Sequence, residues 1–158
     1  MSAETRRRNL GLTWREFVVG DRYLTLRRTI FESELNQFLA LAGLQEMLFT
    51  DLTYISRRGD GRRLVPGSLV LSMAEGLSIQ ALLQHTGLAF LEADWKVRAP
   101  AYANDTIEVE IEVIEQRATS KGDRGLVRTR NIVRNQDGLV VAEYTPLRLV
   151  AGSHEANP

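Results

Sequence analysis

The sequence contains no cysteine and only two histidines, His85 and His154, among its 158 residues. The absence of cysteine excludes disulfides, thiolate zinc sites, iron–sulfur clusters and a cysteine nucleophile. Two histidines cannot form a three-histidine metal site within one chain, so most proton transfer would have to involve carboxylates or water. Basic and acidic side chains are equal in number, 20 of each. Composition therefore predicts no generally basic surface for nucleic acid or anionic lipid.

The sequence also lacks a long uninterrupted apolar run. Its longest apolar stretch, Leu69 to Leu83, is broken by four polar side chains and is too short to span a bilayer. Three arginines near the start are not followed by an apolar segment, so the sequence predicts no secretory signal. We therefore expect a cytoplasmic protein that has no contact with membranes.

The first half of the chain has mainly helical patterns. An alternating stretch at Tyr23–Arg28 predicts a short strand, and apolar spacing of three and four residues predicts a helix over Glu32–Gly43. Residues 44–66 have no regular pattern and predict an irregular segment. A second helix is predicted over Ser68–His85. Because it is apolar around nearly its whole circumference, we expect other parts of the protein to enclose it.

The second half has strand patterns. Alternation of apolar and polar residues predicts strands at Glu92–Arg98, Ile107–Val113, Leu126–Arg134 and Leu139–Val150, with Pro146 indicating an edge strand or a bulge. One buried helix followed by antiparallel strands predicts an α+β architecture in which a curved sheet wraps around that helix.

Four segments occur in an order that is typical of one family. They are Gly20-Asp21, the helix at Glu32–Gly43, the stretch Arg62–Ser72 that contains Pro66-Gly67, and the stretch Pro100–Thr106. In this order the sequence resembles the MaoC-like (R)-specific enoyl-CoA hydratases and dehydratases, which have the hotdog fold. The resemblance covers residues 14–150 and implies a single hotdog domain over 1–158, with flexible ends at 1–13 and 151–158. One departure is Asn104, which stands where the family usually has glycine.

The resemblance implies a reaction and two devices that perform it. Members of the family add water across the double bond of a trans-2-enoyl thioester, or remove it. An Asp and a His, five positions apart after the helix that ends in glycine, hold and deprotonate the water. Counted from Gly43, these positions are Leu44 and Phe49 in this chain. Neither side chain can accept a proton, so the resemblance leaves two versions open: a hydratase with replacement groups, or the non-catalytic subunit of a heteromeric hydratase.

The second device is an oxyanion hole formed by backbone N–H groups at the start of the central helix. Gly67 has no side chain to obstruct an acyl group, and Ser68 and Leu69 are early helix residues whose N–H groups lack partners within the helix. We predict that these three residues bind the thioester carbonyl. The alternative is that Pro66-Gly67 forms only a turn into the helix.

Three carboxylates are weak catalytic candidates. Glu46 and Asp51 have the spacing of the family's dyad but are displaced by two residues, and the alternative is that they are solvated loop residues. Glu75 lies eight residues after Gly67, near the place where some hotdog thioesterases carry an acidic nucleophile or base. The competing interpretation is a partly buried carboxylate held by an arginine or at a dimer contact.

An arginine cluster precedes the central helix. It consists of Arg57, Arg58, Arg62 and Arg63 against the single Asp60. Arg62 and Arg63 are candidates for binding the phosphates of coenzyme A, because the guanidinium group matches phosphate geometry. A solvated surface loop is the alternative.

The partners follow from the resemblance. We expect an acyl-CoA or acyl-carrier thioester as substrate, no separate cofactor and no metal. We expect a homodimer or higher oligomer joined edge to edge through its sheets, with an acyl tunnel at the interface, or a heteromer with a dyad-bearing MaoC-like subunit. Two alternative functions are a hotdog acyl-CoA thioesterase that uses Glu75 and a non-enzymatic acyl-CoA-binding module.

Overall fold

The computed structural model describes residues 8–155, which form one antiparallel sheet and four α-helices. In chain order the elements are β1 (Arg22–Leu24), β2 (Arg28–Thr29), α1 (Glu32–Ala42), α2 (Met47–Thr50), α3 (Leu52–Ser56), α4 (Gly67–Ser78), β3 (Gly87–Val97), β4 (Thr106–Ala118), β5 (Arg124–Arg134) and β6 (Val140–Ala151). The α+β architecture predicted from the sequence is confirmed.

The sheet places its four long strands in the order β4-β5-β6-β3, with β1 and β2 paired to β4 at the opposite side. The alternation predicted for β4 is confirmed, since Ile107, Val109, Ile111 and Val113 are all buried on the inner face. Glutamates alternate with them on the outer face, and Glu112 forms ion pairs with arginines of the neighbouring strands β1 and β5. The sheet therefore has one apolar face, and the core lies between that face and the helices.

The strand predicted at Tyr23–Arg28 is divided in two by Thr25. The N–H of Thr25 donates to the carbonyl of Val109, and the hydroxyl of Thr25 accepts from the N–H of Val109 at 2.9 Å. A buried side chain thus replaces the backbone carbonyl as acceptor in the ladder. The regular strand pairing is interrupted there, which explains why β1 and β2 are separate.

Helix α1 has the predicted bounds. The Glu34 side chain accepts from the N–H of Phe31 at 3.1 Å, which satisfies a backbone group at the start of the helix. Gly43 ends it with a left-handed φ of 67°, and the N–H of Gly43 returns to the carbonyl of Leu39.

The prediction of an irregular segment at residues 44–66 is wrong in part, because two short helices form there. The Glu46 side chain accepts from the N–H of Leu48 and starts α2. The Asp51 side chain accepts from the N–H groups of Thr53 and Tyr54 and starts α3. Helices of four and five residues show no 3.6-residue periodicity, so only their capping residues could have indicated them.

Helix α4 continues as one π-helical turn, Ile79–Leu83. Helical geometry thus ends before His85, which has a left-handed φ of 68° and was predicted to close the helix. The reason lies in the N-terminal segment, where the N–H groups of Gly11 and Leu12 donate to the carbonyls of Gln84 and Leu82. These bonds satisfy the end of the helix from outside it.

The enclosure of α4 is incomplete. Its residues Leu69, Val70, Met73, Ala74 and Leu77 are buried against the sheet. Ser68 and Ser72 and the π-helical residues Ile79 and Gln80 are exposed within the single chain. The prediction that protein surrounds the helix on all sides therefore does not hold for one isolated subunit.

Strand β6 lies between β5 and β3, so the edge position indicated by Pro146 is wrong. Pro146 pairs with Ala93 of β3. The pairing of β5 with β6 is interrupted between the Arg128–Leu147 and Asn131–Tyr144 pairs, which is where Pro146 falls. Since proline has no N–H to donate, an interior strand accommodates it at a gap in the ladder.

The chain ends differ from the prediction where the structure describes them. The N–H of Trp14 donates to the carbonyl of Ala151, and the N–H of Ala151 donates to that of Thr86. The His154 ring Nε2 lies 2.8 Å from the carbonyl of Gly11. Residues 11–14 and 151–154 are thus tied to the core rather than flexible. The outermost parts of the predicted flexible ends, 1–7 and 156–158, lie outside the described residues.

Candidate functional site

The first turn of α4 opens onto an apolar cavity of about 370 Å³. The helix start forms one wall, and the C-terminal end of β3 with the segment after it forms the opposite wall. The lining residues are Phe49, Leu64, Val65, Pro66, Gly67, Val70, Trp95, Val97, Arg98, Ala99, Pro100, Ala101, Val141 and Ala142. A concave, mostly apolar space with few polar groups is typical of a small-molecule binding site.

Gly67 is required by the close approach of β3. A Cβ atom at this position would lie 3.0 Å from Cγ2 of Val97, which is tighter than an ordinary van der Waals contact. Glycine therefore lets the strand pass close to the helix start.

One of the three residues predicted to form an oxyanion hole has its N–H group already paired. The N–H groups of Leu69 and Val70 both donate to the carbonyl of Pro66, at 3.0 and 3.2 Å. Leu69 is therefore not available as a donor, contrary to the prediction. Gly67 and Ser68 donate no backbone hydrogen bond among the described residues. Two N–H groups at the positive end of the helix dipole thus remain for a ligand oxygen.

The two positions of the family's dyad lie on the segment beside this cavity. Phe49 lines the cavity, and Leu44 is partly buried against the hydrophobic core. The carbonyl of Phe49 accepts a hydrogen bond from Arg63 at 3.0 Å, which fixes this part of the segment. Phe49, to which the resemblance assigns the histidine of the dyad, is therefore at the cavity wall, with an aromatic ring that has no proton to exchange.

Glu46 and Asp51 are capping residues in the structure, and neither lines the cavity. Asp51 accepts from the Thr53 hydroxyl at 2.6 Å and from the N–H of Tyr54 at 3.0 Å. These two hydrogen bonds lower the pKa of Asp51 below its usual value. A carboxylate stabilised in its ionised form and pointed at its own helix is poorly placed to act as the general base for bound water.

Glu75 lies in a buried polar network between α4 and the sheet. Its carboxylate forms an ion pair with Arg148 and accepts from the Tyr144 hydroxyl at 2.7 Å. The Arg148 side chain is only 7% exposed, and its second nitrogen is 3.2 Å from the Thr129 hydroxyl. The Tyr144 hydroxyl is also 3.3 Å from the Ser78 hydroxyl. The arginine-held carboxylate, one of the two interpretations of Glu75, matches this geometry.

A second cavity of about 230 Å³ lies beside this network, along the N-terminal half of β3. Glu75 and Arg148 contribute to its wall together with Ile79 and Phe90. Glu75 does not line the cavity at Gly67. Glu75 lies eight residues after Gly67, which corresponds to about 12 Å along a helix. Within one chain the Glu75 carboxylate and the backbone N–H of Gly67 therefore do not act on the same substrate atom.

Burial and the negative charge of Glu75 raise the pKa of Tyr144 well above its usual value. The folded protein therefore keeps this proton above pH 10, whereas the unfolded chain loses it. Above pH 10 the unfolded state binds fewer protons, so the free energy of unfolding should fall as pH rises, by up to about 1.4 kcal/mol per pH unit from this group. Tyr144→Phe should make that fall shallower in urea titrations between pH 9 and 11.5.

The comparison has an internal control. Between pH 6 and 8 the tyrosine is protonated in both states, so wild type and Tyr144→Phe should show parallel pH dependence there, whatever their absolute stabilities. Curves that stay parallel above pH 10 would show that Tyr144 ionises as easily in the folded protein as in the unfolded chain.

The arginine cluster divides into two kinds of residue. Arg63 is mostly buried and bonds to Asn36 at 2.9 Å as well as to the Phe49 carbonyl. This arginine connects α1 to the segment beside the cavity. Arg62 is exposed, pairs with Asp60 and lies 3.8 Å from the ring centroid of Tyr102. Of the two residues predicted to bind CoA phosphates, only Arg62 presents its guanidinium group to solvent.

Arg62 also lines a further surface cavity, of about 360 Å³, with Arg58 and Tyr102. Leu64 lines both this cavity and the one at Gly67, so the two are neighbours. An acyl group near Gly67 and a phosphate near Arg62 would thus occupy adjacent parts of one surface.

The two histidines lie away from the cavity at Gly67. The His85 ring Nε2 is 2.9 Å from the carbonyl of His154, so both histidines belong to the contact between the helix end and the chain termini. Residues 8–155 contain no cluster of three or more His, Asp or Glu side chains that could hold a metal ion. Within the same residues no helix combines the length and apolarity needed to cross a bilayer.

Three important residues were missed by sequence reasoning. Trp95 lies in the strand predicted at Glu92–Arg98 and had no predicted role in a site, whereas it lines the cavity. Arg148 and Tyr144 had no predicted role, although they determine the surroundings of Glu75. The signal for Arg148 was its inward position in the alternation of β6, where it shares a face with Tyr144 and Val150.

The fold of this chain is similar to that of several solved structures. A monoamine oxidase regulatory protein from Archaeoglobus fulgidus superposes with a TM-score of 0.80 at 26% identity, over 90% of this chain and 96% of that one. The (R)-hydratase PhaJ1 from Pseudomonas aeruginosa superposes with a TM-score of 0.71 at 24% identity, over 89% of this chain and 86% of that one. No family model and no curated protein matches the sequence.

Two other neighbours are about twice as long as this chain. A putative MaoC domain dehydratase from Chloroflexus aurantiacus has a TM-score of 0.85 at 24% identity, over 99% of this chain and 44% of that one. A Mycobacterium tuberculosis protein described as a double hotdog has a TM-score of 0.81 at 18% identity, over 94% of this chain and 46% of that one. The chain has the MaoC-like hotdog fold. Each match covers nearly all of this chain but less than half of the longer protein, and the Mycobacterium tuberculosis protein is the one described as having two hotdog units.

Proposed function

We propose that this MaoC-like protein binds an acyl thioester at the first turn of α4 and is the non-catalytic subunit of a heteromeric (R)-specific hydratase or dehydratase. The observation that carries the proposal is the composition of the cavity wall. Among residues 8–155 the wall offers the unpaired N–H group of Gly67, next to that of Ser68 in the same helical turn, and apolar surface for an acyl chain, but no group that can remove a proton from water. Phe49 occupies the place at which the family carries histidine.

Arg98 does not supply the missing base. Among residues 8–155 it is the only charged side chain that lines the cavity, and it pairs with Glu143 of β6. A guanidinium group is protonated throughout the physiological pH range and has no acceptor for a proton. Binding of a carbonyl oxygen is thus possible at this site, whereas activation of water needs a group from elsewhere.

A partner subunit that carries Asp and His would supply that group. One structural neighbour, at 14% identity and a TM-score of 0.68, is the HadBC complex from Mycobacterium tuberculosis, described as a 3R-hydroxyacyl-ACP dehydratase. This neighbour shows that the fold occurs in complexes, which supports a paired arrangement for the present chain. We propose that the acyl group reaches this cavity as a thioester of CoA or of an acyl-carrier protein.

The edge of β3 is the surface through which subunits would pair. β3 has 11 residues and, within the part of the chain that the structure describes, pairs with β6 on one side only, which leaves a long row of its backbone groups without a neighbouring strand. Phe90, Leu91 and Val97 on this strand are each about half exposed. Long exposed apolar edges are prone to pair with another chain. In the double hotdog protein a second unit is present in the same chain.

We predict that the isolated protein is a dimer and that Leu91→Lys weakens the dimer at least tenfold, because the lysine would carry a charge into the paired edge. Sedimentation velocity across a range of concentrations measures this. Leu26→Lys, at a position 85% exposed and remote from β3 in the sheet, is the matched control and should sediment as wild type does. A wild-type monomer, or a Leu91→Lys dimer of unchanged affinity, would contradict pairing through this edge.

The functional proposal is tested with crotonyl-CoA and butyryl-CoA. The chain alone should bind both, seen as a rise in melting temperature, and should leave the enoyl absorbance of crotonyl-CoA unchanged. Addition of a dyad-bearing MaoC-like subunit from the same genome should start hydration. Hydration by the chain alone would instead show that replacement groups suffice, and absence of binding would overturn the proposal. If the chain binds both thioesters but crotonyl-CoA is not hydrated with any added subunit, the chain would be better described as an acyl-CoA-binding module.

The thioesterase alternative has a different signature. It requires release of free CoA from butyryl-CoA and loss of that release in Glu75→Gln. The ion pair with Arg148 and the hydrogen bond from Tyr144 already occupy the Glu75 carboxylate. We therefore expect no release of thiol above the uncatalysed rate, measured with a thiol-reactive dye.

A further inference from the structure

The indole of Trp95 is directed at the start of α4. Trp95 lines the same cavity as Gly67. Of the atoms around Gly67, its Nε1 is the nearest polar one, 3.8 Å from the position that a Cβ on Gly67 would occupy. No hydrogen bond from this N–H is formed within residues 8–155, although the ring is half-buried. The indole thus presents an unused donor to the cavity beside Gly67.

The ring is held in this orientation from behind. It packs against Tyr144 with 5.5 Å between ring centroids and 58° between planes, the tilted arrangement that aromatic pairs favour. The Tyr144 hydroxyl is in turn fixed by Glu75 and Ser78. The polar network in the core thereby supports the position of Trp95, and a donor that is held before the ligand arrives loses little entropy on binding.

Few other side chains that line this cavity could form a hydrogen bond with a polar atom of a ligand. Among the lining residues only Trp95 and Arg98 have polar side chains, and Arg98 is paired with Glu143. A thioester offers one good acceptor near its reactive end, the carbonyl oxygen. Gly67 and Trp95 both line the cavity, and each has an N–H group without a partner among residues 8–155.

We infer that the Trp95 N–H donates a hydrogen bond to the carbonyl oxygen of the bound thioester and that Trp95 is a substrate-binding residue. This inference rests on the proposed function, because it concerns the same cavity. It adds a side-chain donor to the backbone donors. It also explains why an indole rather than another large apolar ring lies opposite Gly67.

The test compares a thioester with a ligand that lacks its carbonyl. Trp95→Phe should bind butyryl-CoA about five- to tenfold more weakly than wild type, the effect of one lost hydrogen bond. It should bind S-butyl-CoA, the thioether, with unchanged affinity. Isothermal titration measures both. Trp14→Phe is the matched control, because Trp14 also has an indole N–H without a partner but does not line the cavity. Both of its affinities should equal those of wild type.

An NMR measurement reports on the same bond. The chain has two tryptophans, so the indole ¹H–¹⁵N resonance that disappears in Trp95→Phe belongs to Trp95. In wild type this resonance should move downfield on addition of butyryl-CoA and much less with S-butyl-CoA.

The outcomes separate the two proposals. If wild type binds neither ligand, the proposed function fails. If wild type binds butyryl-CoA but Trp95→Phe binds it equally well and the resonance does not move, only the role of Trp95 is overturned. If Trp95→Phe weakens both ligands to the same extent, the indole contributes packing and not a bond to the carbonyl, which also overturns the inference.

Discussion

Leu44→Asp together with Phe49→His is expected to give the chain hydratase activity of its own, with a rate on crotonyl-CoA about 10² to 10⁴ above that of wild type. This is the factor that a positioned base typically contributes. Phe49 already lines the cavity beside Gly67, and Arg63 fixes the backbone at Phe49 by bonding to its carbonyl. A histidine at this position would therefore face the space in which the thioester is proposed to bind. The gain in enoyl hydration is measured by loss of the enoyl absorbance.

The single variants are the controls for this gain. Phe49→His supplies a base without the carboxylate that holds the water, and Leu44→Asp supplies the carboxylate without the base. Each should give less than a tenth of the rate of the double variant, because groups that act as a unit are strongly non-additive. Equal rates for the double variant and wild type, with butyryl-CoA binding intact, would show that the segment at 44–49 does not place the two positions as the resemblance implies.

The fold was predictable because its decisive signals are local. The alternation at Ile107–Val113 defines both the strand and its buried face, and Gly43 marks the end of α1. Pro66-Gly67 before an apolar run located the start of α4 to within one residue. In each case neighbouring positions in the sequence contain the whole pattern, so no distant contact is needed to interpret it.

The candidate site was predictable only in part, because its polar groups pair over long distances. The sequence showed a single carboxylate, Glu75, on an apolar helix, but the partner Arg148 is 73 positions away on β6. No local spacing connects them. Leu69 was expected to be a free donor, and the return of its N–H to Pro66 depends on the tight turn at the helix start. The role of Trp95 depends on how close β3 passes to Gly67, which the strand pattern does not specify.

The network around Glu75 is expected to produce the largest effect on stability. In Arg148→Met the carboxylate would lose its buried counter-charge and keep only the hydrogen bond from Tyr144. Removing one partner of a buried ion pair typically lowers the free energy of unfolding by about 3–5 kcal/mol, because the remaining charge is left in a medium of low polarity. Urea titration at pH 7 and fixed protein concentration measures the loss, since dimer formation would make stability concentration-dependent.

Arg130→Met is the matched control, because Arg130 on β5 pairs with Glu112 on the outer face of the sheet and is half exposed. Exposed pairs contribute about 0–1 kcal/mol, so this variant should be nearly as stable as wild type. Replacing Glu75 and Arg148 together by Met should recover most of the loss of the single variant, since no unpaired charge then remains. If Arg148→Met costs no more than Arg130→Met, Glu75 does not depend on Arg148 for its charge. That result would contradict the assignment of Glu75 and Arg148 as a buried ion pair that stabilises the fold and would favour the thioesterase alternative.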